Sequence, residues 1–213
     1  YWYASMCGAC PAGCGILVKN RDGRPIKLEG NPEHPLSRGG LCAVGQAAVL
    51  GLYDSQRLKT PVSGGKETSW PAVDEAIRGH LKRIRATRGK IRFLTGTITS
   101  PTARRMISSF LASFADGRQV VYDALSASAI LDAHEESHGA RVLPRYFFGR
   151  ADCIVSFDAD FLGTWISPVE YTAGYTAKRA LPALSHHTQV ESRLSLTGSK
   201  ADKRIRVAPS DIG

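Results

Sequence analysis

Apolar positions along this chain follow two rhythms. In the first sixty residues they come in short runs broken by glycine and proline. "GILVKN" and "PIKLEG" read as strands, and the "RDG" between them is a turn signal, so the pair predicts a β-hairpin. "NPEHPLSRGG" then reads as a loop, "AVGQAAVLGLYD" as a short helix and "TPVSGGKETS" as a linker. From Ser69 the spacing lengthens. Ser69 as cap, Pro71 in the first turn, and Val73, Ile77, Leu81 and Ile84 three or four apart predict an amphipathic helix. Beyond Lys90, strand-like runs ("KIRFLT", "RQVVYD", "ADCIVSFDADFL", "HHTQVESRLS", "RIRVAP") are interleaved with helical ones. These are "SPTARRMISSFLASF", "SASAILDAHEESHG" and "SPVEYTAGYTAKRA".

Strands alternating with helices predict an α/β fold with a parallel sheet covered on both faces. The expected organisation is a small β-rich domain over residues 1–60, followed by a partial, Rossmann-like parallel-sheet domain over residues 61–213. No internal repeat or low-complexity tract interrupts it.

Composition narrows the partners. The 213 residues are 43% apolar and 22% charged, an ordinary globular balance. No run approaches the ~18–20 apolar residues of a membrane span. The net charge of +9 gathers partly at Arg78, Lys82, Arg83, Arg85, Arg88, Lys90 and Arg92. Cations suit the end of a helix, and no aromatic interleaving accompanies them. They read as a solvated face or a contact for an acidic partner, not as a nucleic-acid surface. The chain opens without methionine or a leader-like segment, so it is expected to begin within a longer product or after a removed leader.

The chemistry lies in "CGACPAGC". Cys7, Cys10 and Cys14 form C-x2-C-x3-C, and Cys42 follows after 27 residues. A cubane cluster takes four thiolates, and small residues (Gly8, Ala9, Ala12, Gly13, Gly15) let the backbone wrap it. Cys7, Cys10, Cys14 and Cys42 are therefore the candidate ligands of one 4Fe-4S cluster. Structural zinc sites usually take ligands in two pairs, whereas here the division is three and one, even if His34 replaces a thiol. Five cysteines, an odd number, argue against a purely disulfide framework. Zinc, disulfides and an emptied site remain the alternatives. Cys153, in "ADCIVSF", is expected to pack as a small buried hydrophobe.

This spacing, with "GRPIKLEGNPEHPLSRGGLCAVGQA" leading to and past the fourth cysteine, resembles the amino-terminal iron–sulfur domain of the molybdopterin oxidoreductase superfamily. The resemblance continues through "GLYDSQRLKTPV", "TSWPAVDEAI" and "RADCIVSFDADFLGTW". The later segments "VSFDADFLGTWISPVEYTAGYTAKR" and "HHTQVESRLSLTGSKADKRIRVAP" are similar to the molybdopterin-like, molybdenum-free subunits of alternative complex III and menaquinone reductase complexes.

Catalytic relatives place lysine or arginine two residues after the fourth cysteine, where this chain has Val44. They also supply a metal ligand in the stretch matching "YDALSASAILDAH", which has no cysteine; Ser126, Ser128 and Asp132 are its available oxygens. The resemblance therefore implies an electron-transfer subunit of a membrane-associated respiratory quinol or menaquinone oxidoreductase, with molybdopterin absent and no catalytic residue in this chain. It implies partner subunits carrying clusters or haems, a quinone-binding membrane subunit, and a place on the periplasmic or outer face of the cytoplasmic membrane. A fragment of an active molybdenum or tungsten bis-pterin oxidoreductase is one alternative. A zinc-stapled or empty scaffold is the other.

Three further motifs read as structural. His186 and His187 are adjacent, so a strand points them to opposite faces, while Glu191 and Ser195 can join His187 in a polar network. "HEESH" formally fits H-E-x-x-H through His134 and His138, but reads as a polar helix end. "GTITSPTARRM" has the strand-to-helix form of a phosphate site without its glycines or lysine, and Ser100 serves as a helix cap.

Overall fold

The computed structural model describes residues 1–182 and 184–212. In chain order its strands and helices are β1 (Trp2–Met6), β2 (Gly15–Arg21), β3 (Arg24–Gly30), α1 (Ala43–Ala47), β4 (Val62–Ser63), β5 (Lys66–Glu67), α2 (Trp70–Ala86), β6 (Lys90–Thr95), α3 (Pro101–Ala112), β7 (Asp116–Val121), α4 (Ser128–His138), β8 (Cys153–Phe157), α5 (Pro168–Ala177), β9 (His186–Glu191) and β10 (Lys203–Arg206). The expected class, mixed α/β with a small antiparallel sheet followed by parallel strands, is what forms. The chain makes two compact units, one of Tyr1–Val49 with Leu125–Gly213, the other of Leu50–Ala124. The division expected at residue 60 follows composition, whereas these units follow contacts.

The first sheet has the order β1-β2-β3, all antiparallel. Its β2–β3 hairpin is the expected one, with Val18 opposite Leu28 and a register shift between Lys19 and Asn20. Asp22 (φ 49°) and Gly23 (φ 77°) form its turn, the left-handed pair that matches strand twist. β1, which carried no clear periodicity, pairs Tyr3 with Val18 and Met6 with Gly15. Ile16, Leu28 and Val49 make a small core beneath this sheet, with Cys7, Val18 and Leu41 packed against it.

The parallel strands divide into two sheets, where one was expected. β6 and β7 pair alone, and β10-β9-β8 form a separate three-stranded sheet. Nor is β8 covered on both faces: Ile154 and Ser156 are buried, while Cys153, Val155 and Phe157 face out. Cys153 is thus exposed, contrary to expectation. In "CIVSF" the composition misleads, because the one polar residue, Ser156, lies on the buried face and the apolar Val155 and Phe157 face out. Within the unit of Leu50–Ala124, Ser69 caps α2 through the Ala72 N–H, and Phe110 stacks edge-on against Phe93 and Phe114.

The larger core joins Ile154, Phe161, Tyr171 and Tyr175, with Tyr146, Phe148 and Trp165 against them. Phe161 is 1% exposed and stacks on Phe148 at 4.1 Å between ring centres. Beside it lies a polar core from the "HHTQVESRLS" segment. His186 is exposed and His187 is fully buried, as strand alternation requires. His187 Nε2 lies 3.0 Å from Ser156 Oγ and Nδ1 lies 3.2 Å from the Tyr175 hydroxyl. The backbone N–H of His187 donates to Asp202, which Arg179 grips through both oxygens at 2.6 and 2.7 Å. Glu191 accepts from Ser195 Oγ at 2.6 Å and pairs with Arg204.

Burial is the largest influence on the His187 imidazole and holds its pKa below the ordinary value. The bonds from Arg179 hold the Asp202 carboxyl below the usual carboxylate range. Burial alone would raise Glu191, but its bonds from Arg204 and Ser195 outweigh that and hold it low.

Removing the Phe161 ring leaves a cavity no neighbour can fill, so Phe161→Ala should cost about 3–5 kcal/mol in urea unfolding. The pH dependence has a defined sign. An unfolded histidine takes up its proton near pH ~6.5, ahead of the buried one, so the contribution of His187 is complete above about pH 6.5 and falls as pH drops further. The contributions of Asp202 and Glu191 are complete above about pH 4 and are lost below it. Thermal melts of metal-free protein should therefore be flat between about pH 7 and 8, decline below about pH 6.5, steepen below about pH 4, and decline again above about pH 8.5, where an unfolded thiol ionises ahead of Cys14. A flat profile between pH 7 and 5 would contradict the account of His187.

Candidate iron–sulfur site

The three-cysteine loop is the connection between β1 and β2. Met6 pairs with Gly15, and the ladder runs one step further, with the Cys7 N–H donating to the Cys14 carbonyl at 2.8 Å. Cys7 and Cys14 therefore face each other at the root of the loop, with Cys10 beyond them. Within the loop Gly13 takes a left-handed conformation (φ 58°) and donates its N–H to the Cys10 carbonyl at 3.4 Å.

Cys42 arrives from the far side of β3. Residues 31–41 fold back on the sheet because Gly30 has no side chain: a Cβ there would fall 2.1 Å from the Gly39 carbonyl oxygen. Arg38 (φ 45°) and Gly39 (φ 85°) then turn the chain toward Cys42, which is the N-cap of α1. Its Sγ accepts the Gly45 N–H at 3.4 Å, and the Cβ position at Gly45 stands 3.7 Å from Cys7 Sγ. The first turn of α1 thus lies against both the first and the fourth thiols. Gln46 ties the helix to β3, donating to Glu29 at 3.1 Å and accepting from Lys27. The bond from Gln46, followed by that from Lys27, holds the Glu29 carboxyl below its ordinary range.

The four thiols differ in setting. Cys14 is buried, Cys7 half-buried, and Cys10 and Cys42 exposed. Burial pushes the Cys14 thiol up, and Cys10, Cys7 and Cys42 each push it further, so it is held as the neutral thiol. A coordinating thiol is deprotonated outright, so a metal bound here would have to displace that proton. An all-thiol donor set, an apolar floor of Ile16, Leu28 and Val49, and the Gly45 amide hydrogen aimed at Cys42 Sγ fit an iron–sulfur cluster. Among the described residues, no group of three or more His, Cys, Asp or Glu side chains is gathered as one metal ion would need.

The sequence expectation named Cys7, Cys10, Cys14 and Cys42, and the comparisons that follow match the segment that carries them. Residues 1–54 match the molybdopterin oxidoreductase Fe4S4 domain. The match takes in all four cysteines, β1 to β3 and α1. A menaquinone reductase, molybdopterin-binding-like subunit from Nitratidesulfovibrio vulgaris is 38% identical over 82 residues, 38% of this chain and 12% of that protein. A nitrate reductase from Klebsiella oxytoca is 22% identical over 217 residues, covering 98% of this chain and 24% of that one. Acetylene hydratase from Pelobacter acetylenicus shares the fold, with a TM-score of 0.61 and 16% identity across 94% of this chain and 29% of its own. The chain thus spans an eighth to under a third of the length of these relatives.

The other sequence candidates lie elsewhere. Val44 is exposed in the first turn of α1. Ser126 and Ser128 bond each other at the start of α4, and Asp132 pairs with Arg141 at 2.7 Å. His134 and His138 stack on each other at 5.0 Å with no third ligand gathered beside them among the described residues. Ser100 caps α3, as expected. His34 was considered in the sequence only as a replacement ligand. Its ring instead packs on Gly15 and its Nδ1 bonds Ser37. No periodicity marks that contact.

Exposure and thiol acidity set an order of reactivity. In metal-free protein, iodoacetamide should label Cys10, Cys42 and Cys153 first and Cys14 last, as read by peptide mass spectrometry. In cluster-loaded protein only Cys153 should label quickly.

Proposed function

We propose that this chain is the iron–sulfur part of an electron-transfer subunit, with Cys7, Cys10, Cys14 and Cys42 holding one 4Fe-4S cluster. The observation that carries the reading is geometric: the Cys7 N–H bonds the Cys14 carbonyl at the root of the three-cysteine loop, and the first turn of α1 lies against both Cys42 Sγ and Cys7 Sγ. The match of residues 1–54 to the Fe4S4 domain supports it independently. When bound, such a cluster supplies one-electron transfer. The protein's own part is to hold the thiols, exclude water from Cys14 and aim the Gly45 amide hydrogen at Cys42 Sγ.

The setting we favour is a membrane-associated quinol or menaquinone oxidoreductase working without molybdenum at this subunit. The similarity to a menaquinone reductase subunit supports it. So does Val44, an apolar side chain where a polar bridge from cluster to pterin would start. Partner subunits with further redox centres and a quinone-binding membrane subunit belong to this proposal, as does a place on the outer face of the membrane. Among the described residues no helix is long and apolar enough to cross a membrane.

The likeness to nitrate reductase along 98% of the chain favours a second reading, part of a molybdenum enzyme. Metal analysis separates the two. Anaerobically purified protein should carry about four irons per chain and no molybdenum, and Cys42→Ala should lose the iron. Stoichiometric molybdenum would establish the second reading. Zinc lost in place of iron would leave a zinc-stapled scaffold.

A further inference from the structure

The segment that delivers Cys42 does more than reach across the sheet, because it takes hold of the backbone beside Cys14. Gly15 donates its N–H to Ser37 Oγ at 3.2 Å and accepts the Asn31 N–H on its carbonyl at 2.9 Å. Both backbone groups of the residue following the buried thiol are therefore occupied by the 31–41 loop. Ser37 is 3% exposed. Its own N–H donates to His34 Nδ1 at 3.2 Å, which makes that nitrogen an acceptor. Ser37 Oγ lies 2.9 Å from the same nitrogen, so its hydroxyl hydrogen shares the one Nδ1 lone pair with the Ser37 N–H, while the hydroxyl oxygen accepts the Gly15 N–H. The His34 ring closes the contact sterically, since it lies 2.5 Å from where a Cβ on Gly15 would stand.

The loop around these two residues is braced. His34 N–H donates to Asn31 O at 3.1 Å, Arg38 N–H to His34 O at 3.0 Å, Gly39 N–H to Asn31 O at 2.9 Å and Gly40 N–H to Ser37 O at 2.7 Å. A displacement at Gly15 is thus carried through Ser37 to the turn that places Cys42.

We propose that His34 and Ser37 are positioning residues: they clamp the Cys14–Gly15 backbone to the Cys42 loop and set the separation between the three-thiol loop and the fourth thiol. The proposal rests on the cluster reading above. Neither residue ligates metal; both act through the backbone beside Cys14.

The test uses anaerobically purified, cluster-loaded protein and three variants, Ser37→Ala, His34→Ala and His34→Asn. Asparagine places its amide oxygen near the position of Nδ1 and can restore the acceptor without the ring. Ser37→Ala and His34→Ala should retain about four irons as isolated. They should bleach in a chelator about tenfold faster than wild type, the kinetic counterpart of one unpaired buried donor. On oxidation they should accumulate the electron paramagnetic resonance signal of a three-iron cluster as one thiol loses its grip. His34→Asn should return to within about twofold of the wild-type bleaching rate. If Ser37→Ala fails to fold, the two His34 variants decide, because that ring is only partly buried. Bleaching rates and spectra equal to wild type in every folded variant would overturn the clamp, as would His34→Asn behaving like His34→Ala. Wild-type protein lacking iron would overturn the cluster reading and the clamp with it, whereas four irons in wild type with unaffected variants would overturn the clamp alone.

Discussion

Four thiols from two separate segments can meet only where the backbone approaches itself more closely than side chains allow. The amino-terminal sheet is built around that constraint. At Gly30 any Cβ would run into the Gly39 carbonyl, and at Gly15 any Cβ would run into the His34 ring. These two positions let the 31–41 loop lie flat on the hairpin, and through that loop Cys42 comes to face the Cys7–Cys14 loop. Without the close approach, the C-x2-C-x3-C loop has three ligands and no fourth.

The two cores of this unit handle polarity in opposite ways. Under the thiols the floor is apolar, and the electrostatic cost falls on Cys14, whose thiolate is opposed by burial and by its three neighbours. A bound cationic cluster offsets that cost, so metal binding and local folding are coupled. Beside Phe161 the polar groups are instead matched within the protein. Asp202 meets Arg179, Glu191 meets Arg204, and His187 lies between two hydroxyls. What that core leaves unmet is the Ser185 hydroxyl, buried without a partner among the described residues, and the proton His187 would take up in acid. The histidine-rich stretch is thus satisfied by protein partners, whereas the thiols of the cysteine-rich stretch are left as donors.

Much of this was legible in the chain. The β2–β3 hairpin announces itself through its turn, α2 through Ser69, Pro71 and its apolar stripe, and the polar network of His187, Glu191 and Ser195 through strand alternation. The four cysteines stand out by spacing alone. Other features left no such mark. β1 is too short and too uniformly exposed to show a period, so its pairing with β2 depends on the partner strand. Cys153 sits in a run where every residue is small or apolar, and only the packing of Ile154 and Ser156 reveals which face is inward. The separation of β6–β7 from β8–β10 is likewise absent from local pattern, because strand order depends on contacts between distant segments.

What the sequence determined by itself was the donor set and the local elements, since thiol chemistry, turn residues and hydrophobic period act over a few neighbouring positions. Tertiary structure decided the rest: that Cys14 alone of the cysteines is buried, that α1 sets its first turn against Cys7 as well as Cys42, and that Ser37, bonded to His34, reaches the Gly15 backbone. The contacts of Gly45 with Cys7 and of Ser37 with Gly15 join residues more than twenty apart in the chain. The choice among such contacts is made by the close approach of backbones, a property of the folded whole that no short stretch contains.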